Sequence, residues 1–297
     1  MLYGMTLTEW FQLQQYNGGI KMAYFFDILK TILFGIVEGI TEWLPISSTG
    51  HLLILQSMVG EIISHDFMEM FDVVIQLGAI LAVVVIYFNK LNPFSSKKTA
   101  IEKQNTINLW IKVIVACLPA AVIGLLLDDW LDAHLFKTSV VAVTLILYGI
   151  AFIVVEERHR GKKFVYKDLN TLPLSVAIGI GMFQVLALVP GTSRSGATIL
   201  GGMILGASRY VSAEFTFFLA IPVMFGASLL KLVKFGLAFS FGEFFALILG
   251  MVVSFVVSIL AIKFLMNYIK KHNFKVFGIY RIILGIVILV FFAIFGK

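Results

Sequence analysis

Apolar segments of about 20 residues follow one another along most of this 297-residue chain. The chain is 60% hydrophobic and 13% charged, whereas about a quarter of the residues in a soluble domain are charged. Segments of this length and polarity are typical of membrane-spanning helices, so the sequence predicts an all-α polytopic membrane protein. About six transmembrane helices are predicted, over residues 71–88, 107–127, 138–155, 214–238, 243–266 and 276–295.

Two further apolar stretches are each interrupted by a polar turn. Residues 23–60 contain a turn at 45–50, and residues 172–206 contain a second turn of similar composition. The apolar pieces after the turns, 51–59 and 196–206, are too short to cross a bilayer as helices that rise 1.5 Å per residue. Each stretch is therefore predicted to form a re-entrant helix hairpin.

The two hairpins begin two similar halves of the chain. Pro45 and Pro190 are 190 − 45 = 145 residues apart, and Ser48 and Ser193 share that offset. One hairpin plus three spans makes an odd number of crossings per half, so the second half is predicted to be inverted. Inverted repeats with broken helices are typical of transporter-like folds. The predicted domains are an N-terminal extension over 1–22 and one membrane domain over 23–297, with repeat halves of roughly 23–155 and 172–297.

Lysine and arginine are concentrated in three loops of the chain. These loops cover residues 89–106, 156–170 and 267–275, whereas 61–70 has no lysine or arginine and 128–137 has a single lysine. Because basic loops accumulate in the cytoplasm, we predict that the first hairpin enters from outside, the second enters from the cytoplasm, and both termini lie outside. The loops account for the net charge of +6, and no nucleic-acid partner is predicted.

Two carboxylates lie in the apolar segment before the first turn. Glu38 and Glu42 are four residues apart and share one face of a helix. Ionisable groups inside a membrane are costly and usually functional. The pair could hold a divalent cation through oxygen ligands or act as general acid and base. A structural pair neutralised by lysine is the alternative, but no lysine or arginine lies within a turn on that face.

The first turn brings hydroxyl groups to the start of a helix. Ser47, Ser48, Thr49 and Gly50 precede the apolar segment, and His51 begins it. Serine and threonine commonly cap a helix at such a place, and the free amides of a helix N-terminus also bind anions. Since His51 lies three residues after Ser48, the two side chains could meet, and Ser–His pairs suit nucleophilic attack.

The second turn combines hydroxyl groups with a cation. Ser193, Arg194, Ser195 and Gly196 follow Pro190, which ends the preceding helix. Arginine matches phosphate oxygens with a bidentate fork. An arginine that extends to the membrane interface is the alternative. The turn is therefore predicted to be a second helix N-terminus with a fixed cation.

Both turns, together with residues 71–78 and 208–210, resemble the undecaprenyl-diphosphate phosphatases of the bacitracin-resistance type. The resemblance runs from about residue 28 to the C-terminus. It implies a multi-pass hydrolase of the bacterial inner membrane that removes the terminal phosphate of undecaprenyl diphosphate. Because the loop charges place the entry of the first hairpin outside, the active site is predicted to face outside. Such an enzyme recycles the lipid carrier for peptidoglycan synthesis and confers bacitracin resistance. The implied partners are undecaprenyl diphosphate and the lipid bilayer, and a homodimer is left open.

The resemblance also implies roles for individual residues and a cofactor, magnesium or calcium. The acidic pair would bind the divalent cation, and whether a serine, a histidine or a water attacks is left open. The predicted catalytic residues are Glu42, Ser48, His51 and Arg194; the predicted substrate-binding residues are Ser47, Thr49, Gly50, Ser193, Arg194, Ser195 and Gly196; the predicted metal ligands are Glu38 and Glu42.

A secondary transporter or lipid flippase is the rival function, because inverted repeats are common among transporters. A transporter needs polar sites in the membrane, but it does not need a Ser/His pair beside a carboxylate pair. The sequence therefore favours the phosphatase.

Overall fold

The computed structural model describes the backbone of residues 7–236 and 238–295. It describes the side chains from Tyr24 onward, except those of Asp128, Asp129 and Asp132. The N-terminal extension predicted over 1–22 lies outside the residues whose side chains are described. The described chain is helical, without a β-strand. Its α-helices are α1 Leu7–Thr41, α2 Ser48–Val59, α3 His65–Val74, α4 Gln76–Ile86, α5 Phe88–Leu91, α6 Ala100–Leu135, α7 Thr138–Arg158, α8 Leu174–Val185, α9 Arg194–Ile204, α10 Arg209–Phe235, α11 Phe241–Tyr268 and α12 Lys275–Phe295.

Six helical segments of the described chain are long and apolar enough to cross a membrane, which confirms the predicted all-α, multi-pass architecture. The first span begins at His65, before the predicted residue 71, because Ser64 caps α3 by accepting a hydrogen bond from the amide of Phe67. The spans are His65–Ile86, Ala100–Leu127, Thr138–Arg158, Arg209–Phe235, Phe241–Tyr268 and Lys275–Phe295.

The two interrupted stretches form pairs of helices that fold back on themselves. In the first pair, Lys30 Nζ of α1 donates to the carbonyl of Glu61, which follows α2, at 2.7 Å. In the second pair, a Cβ atom added to Gly179 of α8 would lie 2.6 Å from Leu205 Cδ1, just after α9. Each short helix therefore returns along the helix before it, and each polar turn lies at the tip of its pair.

Ion pairs gather the three basic loops at one end of the helix bundle. Buried Glu156, at the end of α7, accepts bonds from Arg209 at the start of α10 at 2.5–3.0 Å. The same carboxylate accepts a bond from the amide of Phe274, before α12, at 2.8 Å. One turn further along α10, Glu214 pairs with Lys90 at 2.8 Å. The loops predicted to share one side of the protein thus lie together.

Two glycines allow close contact between helices. A Cβ atom at Gly78 of α4 would lie 2.1 Å from the carbonyl oxygen of Met251 in α11, and one at Gly181 of α8 would lie 2.0 Å from that of Ala116 in α6. A side chain at either position would collide with backbone, so these helices approach closely only because both residues are glycine.

Candidate active site

The two polar turns have the same local structure. Ser47 caps α2 by accepting a hydrogen bond from the amide of Gly50 at 3.5 Å, and Ser193 caps α9 by accepting one from Gly196 at 3.2 Å. Both serines have a positive φ, 73° and 68°. Such a conformation costs a non-glycine residue about 1–3 kcal/mol and is most often found at functional sites.

The caps correct the predicted register of the two turns. Structurally, Ser193 corresponds to Ser47, an offset of 193 − 47 = 146, and the predicted pairing of Ser193 with Ser48 is wrong. Pro45 precedes its cap by two residues, whereas Pro190 precedes its cap by three. The second turn therefore contains one more residue than the first, and an alignment based on the prolines misses it.

The centre of the site is a cluster of three side chains drawn from both turns. Glu42 lies at the turn after α1 and is 6% exposed. Its Oε1 accepts a bond from Arg194 Nη2 at 2.8 Å, and its Oε2 accepts one from the Ser48 hydroxyl at 3.0 Å. The structure thus brings three of the predicted catalytic residues together. The charge of Glu42 is neutralised by Arg194, which belongs to the second turn.

Arg194 is held in one orientation by its surroundings. Its Nη1 donates to the carbonyl of Thr216 at 2.6 Å, and its guanidinium lies 5.7 Å from the centre of the Trp43 ring. Its Nε has no hydrogen-bond partner among the described residues. This Nε is buried, and Nη2 contacts Met224 Sδ at 3.8 Å as well as Glu42. An oxygen-bearing ligand that takes the Nε and Nη2 edge must therefore displace these contacts of Nη2.

Ser195, predicted to bind substrate, instead joins the two turns. Its buried hydroxyl donates to the carbonyl of Glu42 at 3.1 Å and also lies 3.5 Å from that of Leu44. This side chain therefore links α9 to the end of α1, and its hydroxyl is already bonded within the protein.

Gly50 and Gly196 were predicted to bind substrate, but their amides already donate to the capping hydroxyls of Ser47 and Ser193. The first amides of a helix have no partner within the helix. In the two turns these are the amides of Ser48 and Thr49 and of Arg194 and Ser195. Ser48, Thr49 and Arg194 are partly exposed, so this side of the cluster is where an anion could enter.

His51 does not pair with Ser48 as the sequence suggested. Its Nδ1 lies 2.7 Å from the carbonyl oxygen of Ser47, and its Nε2 lies 2.7 Å from the hydroxyl of Tyr280 in α12. Since a carbonyl can only accept, Nδ1 carries the proton and Nε2 accepts from the tyrosine. The two rings also stack, 5.6 Å apart with an angle of 6°.

Glu38, one helical turn before Glu42, is a buried acid whose carboxylate makes no hydrogen bond to the described residues. It is fully buried, and neither of its carboxylate oxygens has a hydrogen-bond partner among the described residues. Asp72 Oδ1 is likewise buried and without such a partner. Buried carboxylate oxygens normally have a partner, so Glu38 fits a group that supplies positive charge, such as a hard divalent cation.

Two residues of α12 belong to the site although the sequence analysis did not select them. Tyr280 contacts His51, and Arg281 donates to the carbonyls of both turns. An arginine inside an otherwise apolar span is a signal that could have identified Arg281. No comparable signal marks Tyr280, because tyrosines are common near the ends of membrane helices.

The sequence matches a known protein family over most of its length. Residues 31–287 match the protein family described as bacitracin resistance protein BacA. This chain belongs to that family. The resemblance seen in the sequence motifs is therefore confirmed, and the matched range includes both turns and the residues of α12 that contact them.

Curated relatives of this BacA-family chain carry the name undecaprenyl-diphosphatase. The protein of Enterococcus faecalis is 58% identical over 268 residues, which cover 89% of this chain and 97% of the relative. That of Streptococcus mutans is 60% identical over 269 residues, or 89% and 96% of the two chains. That of Lachnoclostridium phytofermentans is 57% identical over 270 residues, or 91% and 98%.

Proposed function

We propose that this BacA-family protein hydrolyses undecaprenyl diphosphate to undecaprenyl phosphate and inorganic phosphate. The observation that carries the proposal is the Glu42–Ser48–Arg194 cluster at two facing helix N-termini. The relatives named undecaprenyl-diphosphatase support the same reaction. Release of the carrier phosphate would return the lipid to peptidoglycan synthesis and raise tolerance to bacitracin.

The substrate would enter with its diphosphate first. The terminal phosphate would accept bonds from the Nε and Nη2 edge of Arg194 and from the free amides of Ser48 and Thr49. Helix N-termini favour anions because both their amides and their dipoles face the ligand. The isoprenoid chain would remain in the bilayer, since the entrance lies among apolar helices.

The Ser48 hydroxyl is the proposed nucleophile. It donates to Glu42 in the free protein. When a phosphate takes the fork of Arg194, Glu42 loses its partner and can accept the serine proton. The oxygen of Ser48 then bonds to the terminal phosphorus, and the bond from phosphorus to the bridging oxygen breaks. The lipid phosphate leaves with that oxygen and its electron pair.

A water completes the reaction. It attacks the phosphoserine, the bond between phosphorus and Ser48 breaks, and inorganic phosphate leaves while the serine recovers its proton. His51 is proposed to accept a proton from this water through Tyr280: the tyrosine hydroxyl would take the proton of the water and pass its own proton to Nε2, to which it already donates. Arg194 stabilises the phosphate charge in both steps, and such electrostatic stabilisation is the main source of catalysis in phosphoryl transfer.

A divalent cation, magnesium or calcium, is the proposed cofactor. Glu38 would hold it through the unsatisfied oxygens, with Glu42 beside it. The described residues contain no group of three acidic, histidine or cysteine side chains suited to a metal, so water and phosphate oxygens would complete its coordination. When bound, the ion supplies positive charge to the phosphate.

Replacing Glu38 with glutamine should remove cation binding. We expect magnesium or calcium to raise the melting temperature of the purified wild-type protein, since a ligand that binds only the folded state stabilises it. In Glu38→Gln this increase should disappear, whereas Glu69→Gln, at an exposed acid away from the site, should retain it. An equal increase in Glu38→Gln and the wild type would contradict the metal role of Glu38.

Hydrolysis can be distinguished from transport with the purified protein. In detergent, where no membrane separates two compartments, the protein should release phosphate from undecaprenyl diphosphate at a rate proportional to enzyme concentration. Ser48→Ala should lack this activity. If the wild-type protein released no phosphate but moved a fluorescent lipid diphosphate across vesicles, the flippase alternative would replace the proposal.

The two helix pairs are further proposed to be re-entrant hairpins of an inverted repeat in the bacterial plasma membrane. The twin caps support the repeat. The open end of the second pair lies beside the basic loops, where the amide of Tyr166 donates to the carbonyl of Gly206 at 3.1 Å. The open end of the first pair carries Glu61. If the basic loops are cytoplasmic, the first hairpin and the entrance to the site face outside.

This orientation predicts which loops can be labelled in intact cells. A cysteine in place of Asp66, at the acidic end, should react with an impermeant thiol reagent, whereas one in place of Ser96, at the basic end, should not. Both positions are exposed, and Cys117→Ser is the background that removes the native thiol. The opposite labelling pattern would reverse the proposed orientation.

A further inference from the structure

We propose that Arg281 is a positioning residue for the hydrolysis, which holds the two turns in fixed alignment without touching the substrate. The inference rests on the proposed roles of Glu42, Ser48 and Arg194. It concerns how residues that lie on separate hairpins are kept at bonding distance.

Arg281 connects the two turns directly. Its Nη1 donates to the carbonyl of Pro45 in the first turn at 3.3 Å. Its Nη2 donates to the carbonyls of Gly191 and Thr192 in the second turn, at 3.0 and 2.8 Å. One rigid guanidinium thus bonds to three carbonyls in the residues just before the two serine caps, and its planar shape fixes their relative positions.

The charge of Arg281 has no carboxylate partner among the described residues. The side chain is fully buried and stacks over Tyr148, 5.6 Å from the ring centre. Burying a cation without a counter-charge is costly, and the cost is reduced only by good hydrogen bonds. An apolar residue could be buried here at lower cost in free energy. The presence of an arginine is therefore explained by its hydrogen bonds to the two turns.

The caps need such a constraint. Ser47 and Ser193 both have positive φ values, and a strained backbone persists only where its surroundings over-determine it. The guanidinium also lies against α9, since a Cβ atom at Gly196 would be 2.9 Å from Arg281 Nη1. Arg281 holds the carbonyls that precede each cap. The free amides that follow each cap are thereby kept facing the proposed phosphate site.

The alignment matters because the reacting groups come from different hairpins. Ser48 begins α2 and Arg194 begins α9. A misplacement of about 1 Å between a nucleophile and a positioning group can reduce a rate by about a hundredfold. Because all bonds of Arg281 are to protein carbonyls, its loss should reduce kcat far more than it changes KM.

The first measurement compares Arg281→Met and Arg281→Lys by steady-state phosphate release. We expect kcat of Arg281→Met to fall by about ten- to a hundredfold, with KM within about threefold of the wild-type value. Lysine keeps the charge but presents one ammonium instead of a planar fork, so it should restore only part of kcat. A wild-type kcat in Arg281→Met would overturn the inference.

The second measurement reports the alignment without activity. Spin labels at Ser57 of α2 and Ile204 of α9, both exposed, give the distance between the two short helices in a Cys117→Ser protein. We expect the distance distribution to widen in Arg281→Met and to narrow again in Arg281→Lys. An unchanged distribution would overturn the inference.

A control pair separates positioning from general loss of structure. Labels at Ile111 of α6 and Met182 of α8 lie on helices that pack together away from Arg281. Their distance should not change in Arg281→Met. If both label pairs widened equally, Arg281 would be only a folding residue, and the inference would be wrong. Glu42→Gln tests the proposed site separately, because full activity there would contradict the site whatever Arg281 does.

Discussion

Replacement of Glu42 by glutamine should reduce phosphate release by about a hundredfold or more, since general bases contribute about 10²–10⁴ to a rate. Glutamine has the shape of glutamate but cannot take the proton of Ser48. It also cannot neutralise Arg194, which bonds to the carboxylate at 2.8 Å in the wild-type protein. The measurement is phosphate release from undecaprenyl diphosphate by the purified variant.

The variant should nevertheless fold. The amide oxygen of glutamine can still accept a bond from Arg194, and the turn is also held by Ser195, which donates to the main-chain carbonyl of residue 42. Truncation to alanine would be a poorer test, because it would also leave the donors of Arg194 and Ser48 without an acceptor. The melting temperature of Glu42→Gln in detergent should therefore remain close to that of the wild type.

Glu214→Gln is a matched control for this substitution. Glu214 is also buried, but it pairs with Lys90 at the basic end of the bundle instead of with a residue of either turn. Its replacement should change stability but not turnover per folded molecule. If Glu42→Gln and Glu214→Gln lost activity to the same extent, charge neutralisation within the bundle would explain the loss, and Glu42 would not be the base.

The architecture could largely be predicted from the sequence because a bilayer restricts it so strongly. Spanning segments must satisfy their own backbone hydrogen bonds, so long apolar segments become helices. The six predicted spans were confirmed, although three of them begin five to seven residues earlier than hydropathy indicated, at His65, Ala100 and Arg209. Each of these helices begins at a serine or threonine cap, which extends it into a polar stretch that hydropathy does not detect.

The sequence predicted which residues belong to the site but not which of them pair with one another. Glu42, Ser48 and Arg194 were selected because polar residues are rare in apolar segments, and they do lie together. Their partners could not be predicted, since a bond between the two helix pairs depends on how the turn after α1 lies against α9. For the same reason sequence proximity wrongly suggested that Ser48 would pair with His51, whose partner is Tyr280 from the last helix.

Arg194→Ala should have the other large effect, a loss of about a hundredfold or more in kcat/KM. Two charge-assisted hydrogen bonds to the phosphate contribute at least about 3 kcal/mol together, and about 1.4 kcal/mol corresponds to a tenfold change in rate. Thr216 holds Nη1 and Nε has no partner among the described residues, so a phosphate that displaces Glu42 from Nη2 would meet two parallel donors.

Arg194→Lys should recover only part of this loss. Lysine would keep a positive charge near Glu42, but its single ammonium cannot bond to the carbonyl of Thr216 and also present two parallel donors to a phosphate. We therefore expect its activity to lie between those of the alanine variant and the wild type. Steady-state phosphate release with a farnesyl or undecaprenyl diphosphate substrate at saturating magnesium gives the three values.

Arg209→Lys provides the comparison that isolates the phosphate fork. Arg209 also makes a bidentate bond to a buried glutamate, Glu156, but at the basic end of the bundle. Loss of that fork should affect stability and leave turnover per folded molecule unchanged. Near-normal turnover in Arg194→Lys would mean that the site needs only a positive charge at this position. Near-normal turnover in Arg194→Ala would make Arg194 a structural partner of Glu42, and phosphate binding would then depend on the amides of the two turns alone.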